Sequence, residues 1–220
     1  MTVTLAQSIV AALLLGLALA FRPLQTLRRA ELRTPWLGAI VLLPLLWASQ
    51  RFLPSGLAVH LSGACLMVLM FGWPLAVWTC VPIALIAAWL TGNAGGSVSL
   101  AGWWSQAVNQ LLWVGIVPAS CGLAVGLAVR HLLPKHLFVY ILGRGFLGTA
   151  LALMAAALLE TALVASAAQH TLGDLWLARA LIAWGEAFAT GMLTAIFVAF
   201  RPVWMLTYSD ERYLPAAPRS

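Results

Sequence analysis

The stretch LAVHLSGACLMVLMFGWP, residues 57–74, sets the reading of the fold. Past His60 and the small residues Ser62, Gly63, Ala64 and Cys65 it runs on without a charge. Its apolar side chains do not alternate with polar ones, as those of an outer-membrane barrel strand do. Such a run reads as helix in a hydrocarbon core about 30 Å thick. The rest of the chain is written the same way. Of its 220 residues 63% are hydrophobic and 8% charged, with a mean hydropathy of +0.97, too little charge for a soluble globule. The expected fold class is all-α: a polytopic transmembrane helical bundle, forming a single integral membrane domain over residues 1–220 with a cytoplasmic tail at 201–220.

Seven spans follow, at about 3–21, 35–51, 57–73, 75–91, 104–129, 137–168 and 175–200. Pro44, Pro82 and Pro118 fall inside spans, where neighbouring helices must re-satisfy the carbonyls they free. Basic residues orient the bundle. Arg22, Arg28, Arg29 and Arg33 lie between spans one and two, Arg130 and Lys135 between five and six, and Arg201, Arg212 and Arg219 after span seven. With the N-terminus outside, all three groups face the cytoplasm, the positive-inside pattern of a bacterial cytoplasmic (inner) membrane protein. The alternative, a signal peptide cleaved after the ALA at residues 18–20, lacks a positive n-region and would strand four arginines outside. The net charge of +6 is thus a topology signal, and no nucleic-acid partner is expected. Cys65, Cys80 and Cys121 stand singly within apolar runs and read as inert buried thiols.

Ionisable groups within a bilayer are costly, about 2.5–3.5 kcal/mol on insertion scales, and so mark candidate sites. Here they are His60, Arg144, Glu160, Arg179 and Glu186. His60 enters span three at its outer end, Glu160 lies roughly 12 Å below the outer end of span six, and Glu186 stands two turns from Arg179 on nearly one face of span seven. Asn109 lies in the outer part of span five, and Asn93 in the outer loop TGNAGGSVSLAGWW, whose glycines permit it to fold over a site. These positions describe an outward-facing site. Each also has a structural reading: His60 as an interfacial residue, and Glu160 with Arg179 as an ion pair across a helical hairpin. Arg144 lies near a cytoplasmic helix end, where it can snorkel. The sequence has no HExxH, GxSxG or Walker A pattern, so neither hydrolysis nor an ATPase is expected of this chain.

Three blocks, LAVHLSGACLMVLMFGWPLAVW (57–78), GWWSQAVNQLLWVGIVPASCG (102–122) and GEAFATGMLTAIFVAFRPVWMLTYSDERYL (185–214), carry a resemblance to a known family. In content and order they are similar to the energy-coupling-factor permease subunits of the cobalt and nickel, or CbiM, type. The resemblance implies a substrate-capture subunit working with a transmembrane coupling subunit and cytoplasmic ATPases. It implies no covalently bound cofactor, and Ni²⁺ or Co²⁺ as the transported substrate. His60 is the position that carries over as a metal ligand; Asn109 and Glu186 match site-shaping residues. The family's Met-His start has no counterpart in MTVTLAQ.

The function expected is therefore cation capture by His60 with Asn93, Asn109, Glu160 and Glu186, energised by partner ATPases. The alternatives are a permease for a different small substrate, or a non-transporting membrane scaffold in which the same polar groups only specify packing.

Overall fold

The computed structural model describes residues 2–49, 51–52, 58–59, 61–94, 99–163 and 172–213. Helix α1 (Thr2–Ala20) ends where Arg22 adopts φ 51° ahead of Pro23, whose ring cannot continue the helix. A 3-10 turn, Pro23–Arg28, leads into α2 (Ala30–Ala48). The strands β1 (Arg51–Phe52) and β2 (Ala58–Val59) pair antiparallel, Arg51 opposite Val59 and Phe52 opposite Ala58. Then come α3 (Ala64–Phe71), α4 (Trp73–Ala94) and a continuous helical rod, Leu100–Leu132. The rod comprises α5 (Leu100–Asn109), a π-helical segment (Gln110–Ile116) and α6 (Val117–Leu132). A second π segment (Val139–Leu147) opens α7 (Gly148–Leu163), and α8 (Leu172–Phe200) precedes the short α9 (Asp210–Tyr213).

Four helical stretches are long and apolar enough to cross a membrane: Trp73–Gly92, Leu100–Leu132, Val139–Leu163 and Leu175–Phe200; Thr4–Ala20 is shorter but equally apolar. Their outer faces carry Leu13, Leu17, Leu151 and Phe188, all more than half exposed, as lipid-facing side chains are.

The expected crossing at 57–73 is corrected. Its helix spans only the 8 residues of α3, about 12 Å long, well under half of a core about 30 Å thick. Two glycines set the limits: Gly63 at φ 65° starts α3 and Gly72 at φ 76° ends it, conformations that residues with a Cβ rarely adopt. Ala64, Cys65 and Met67 to Phe71 are all buried, so α3 is a half-helix inside the bundle. Backbone groups at its ends have no water to turn to and must be met by protein. At the C-terminal end, the Leu206 amide donates to the Met70 carbonyl (3.0 Å), and the Thr207 amide and hydroxyl to that of Leu69 (3.3 and 2.8 Å). The N-terminal end is met within the candidate site.

Indole N–H groups pin the surrounding helices. Trp36 donates to the Thr79 hydroxyl (2.9 Å, α2 to α4), Trp78 to the Leu15 carbonyl (3.2 Å, α4 to α1), and Trp73 to the Ser120 hydroxyl (3.1 Å, α4 to α6). Close approach of the rod to α4 requires Gly115, where a Cβ would come within 2.9 Å of the Cys80 Cβ and Sγ and 3.0 Å of the Trp47 ring. This is the small-residue packing of membrane helices. Cys65 and Cys80 are free and buried, Cys121 free and half-buried.

Candidate functional site

At the N-terminus of α3 the backbone amides of Ser62 and Gly63 point at one side chain from the far end of the chain. Glu186 of α8 accepts from the Ser62 N–H through Oε2 (2.7 Å) and from the Gly63 N–H through Oε1 (2.8 Å). The carboxylate is 3% exposed. It meets two donors the short helix cannot satisfy itself, and its oxygens sit at the positive end of the helix dipole.

Ser62 is the hub of this junction. Its carbonyl accepts from the Trp47 indole N–H (2.8 Å), and its hydroxyl accepts from the Ala64 N–H (3.1 Å). The same hydroxyl donates to the Val114 carbonyl (2.5 Å). Val114 lies in the π segment of the rod, and this bond ties that segment to the residues that lead into α3.

Beside this junction lies a cavity of about 360 Å³ between the rod, α7 and α8. Asn109, Glu160 and Glu186, inferred from sequence, all line it, together with Ser62. Glu160 is bonded to Arg179, an ion pair across the α7–α8 hairpin with both side chains under a third exposed. The pairing that the sequence left open is thus made. Glu160 is balanced by a guanidinium and Glu186 by two amides and a helix dipole. Neither carboxylate stands free.

Two lining residues were not anticipated. Gln110, the first residue of the π segment, is 3% exposed, and neither its amide nitrogen nor its oxygen has a partner among the described residues. One turn on, the buried Trp113 Nε1 likewise has no partner among the described residues. Buried polar atoms without partners are uncommon and call for water or a ligand. The only sequence signal for Gln110 is a second amide beside Asn109 inside an apolar run; the π geometry that places it has none.

Two inferred residues are not brought in. His60 lies outside the described residues; so does the Asn93 side chain, although its backbone belongs to the last turn of α4. Residues 95–98, on which folding of the outer loop over the site depends, also lie outside them. Among the described residues no cluster of three or more His, Cys, Asp or Glu groups is placed to hold a metal ion.

A family model described as the cobalt uptake substrate-specific transmembrane region, CbiM, matches residues 1–204. Neither the curated proteins nor the solved structures yield a match.

Proposed function

The chain belongs to the CbiM family of cobalt uptake, and from that premise we propose that it is the substrate-capture subunit of an energy-coupling-factor transporter in a bacterial inner membrane. Its cargo is a transition-metal cation, Co²⁺ or Ni²⁺, taken from the outer side. The N-terminus lies outside and the tail inside, so that the basic loops face the cytoplasm. A separate coupling subunit and ATPases supply the energy, consistent with a sequence that has no nucleotide-binding pattern.

The observation that carries this reading is the Glu186 clamp on Ser62 and Gly63 beside a polar cavity. His60 precedes the clamped Ser62 by two residues in the sequence. Glu186 acts as a positioning residue, holding the His60 segment at the cavity, while Asn109, Glu160 and Asn93 shape the cargo's surroundings. Imidazole suits cobalt and nickel; carboxylate and amide oxygens accept the waters such an ion retains.

A scaffold reading draws on one observation, that both carboxylates already have partners. Calorimetric titration of the purified protein with Co²⁺, Ni²⁺, Zn²⁺ and Cu²⁺, against His60→Ala, separates the two. Capture predicts stoichiometric Co²⁺ or Ni²⁺ binding that is lost in the variant. Absence of binding, or binding indifferent to His60, supports the scaffold.

A further inference from the structure

We propose that a notch between the C-terminal end of α6 and the π segment that opens α7 binds the phosphate of an anionic membrane lipid. Arg130, Lys135 and Arg144 line it, with Tyr140, Tyr213 and Leu133. Three cations converge there, and the salt bridge found among the described residues, Arg179 with Glu160, uses none of them.

Arg144 is the specific element. Its Nε is buried and has no acceptor among the described residues. The guanidinium carbon lies 5.5 Å from the centroid of the Tyr140 ring, and Nη2 is 3.2 Å from where a Cβ on Gly126 would be, so the group is held between an aromatic face and the bare backbone of α6. The tyrosine is itself fixed. It is fully buried, its hydroxyl is 2.7 Å from the Thr207 hydroxyl, and its ring centroid is 5.1 Å from that of Tyr208 and 5.0 Å from that of Tyr213. A planar guanidinium fixed in place at the lining of the notch is suited to an anionic ligand, and phosphate offers its oxygens to a fork of donors.

Size and surroundings point to a headgroup. The notch holds about 10 Å³, room for one oxygen and not for a whole phosphate. Its ligand therefore projects one oxygen inward and keeps its bulk outside. The adjoining residues Leu132, Phe138 and Leu142 are 81%, 66% and 53% exposed, an apolar rim next to the cations. A free ion makes no use of that rim, whereas acyl chains do. Basic pockets between helices at the cytoplasmic boundary are where lipid headgroups are retained.

The test is native mass spectrometry of the full chain in detergent. The probes are phosphatidylglycerol, phosphatidylcholine of the same acyl length, and inorganic phosphate. Phosphatidylglycerol should be retained preferentially, and its affinity should fall about tenfold in Arg144→Gln, the loss of a charge-assisted bond. The exposed pair Arg130→Gln/Lys135→Gln should weaken it without disturbing the fold. Arg144→Lys, which keeps the charge but not the fork, should fall between wild type and Arg144→Gln. Equal retention of phosphatidylcholine overturns the proposal, as does undiminished phosphatidylglycerol binding in both glutamine variants. Displacement of the lipid by millimolar inorganic phosphate would assign the notch to a free anion instead.

Discussion

Replacing Glu186 with alanine should unsettle the bundle more than any single change on its surface. The substitution removes the acceptor of two amides, Ser62 N–H at 2.7 Å and Gly63 N–H at 2.8 Å, from a position only 3% exposed. Each buried donor left without an acceptor costs about 1–3 kcal/mol, so the pair costs about 2–6 kcal/mol. For a domain of this size 1 kcal/mol moves the melting midpoint by about 2–4 °C, which puts the expected fall between about 4 and 24 °C. Glu186→Gln keeps one carbonyl acceptor and turns an NH₂ toward the other donor, so it should lose about half as much. The assay is thermal unfolding in detergent followed by intrinsic tryptophan fluorescence, with cobalt titration of each variant at a temperature where it is folded. Under the clamp argument, cobalt affinity falls in both variants even where folding is intact, because the segment after His60 loses its anchor. Midpoints for both variants within about 2 °C of wild type would refute the view that the carboxylate holds this helix end.

Arg179→Gln removes the partner of Glu160 from a pair whose side chains are 29% and 24% exposed; stability should change by no more than about 1 kcal/mol, whereas Co²⁺ affinity by calorimetry should rise, because the carboxylate is freed to face the cavity. An unchanged or weaker affinity would place Glu160 outside the cargo's surroundings. Gly115→Ala brings a Cβ to 2.9 Å from Cys80 and 3.0 Å from Trp47, and this overpacking should cost about 1–3 kcal/mol, read as a lower unfolding midpoint; a neutral result would show that the rod and α4 can separate freely.

Composition and hydropathy determined a great deal on their own. A chain with 8% charged residues must bury its backbone polarity in helices if it lies in lipid, and the few ionisable groups that remain become legible as candidates. Glu160 and Glu186 are legible that way and Asn109 by its polar amide in the outer part of a span, and all three line one cavity. The resemblance in three blocks pointed to the family that the match over residues 1–204 identifies.

What the tertiary structure alone decided is how those groups are used. A run of apolar letters does not reveal that Gly63 and Gly72 hold positive φ, so the run at 57–73 passes for a full crossing when its helix is eight residues long. The rotation of α7 against α8 brings Glu160 to Arg179, and helix rotation is set by packing rather than by hydropathy. The partners of Glu186 are backbone amides, which every residue but proline possesses and no letter of the sequence distinguishes. That the Ser62 hydroxyl meets the Val114 carbonyl, 52 residues away in the chain, is likewise a fact of the folded bundle.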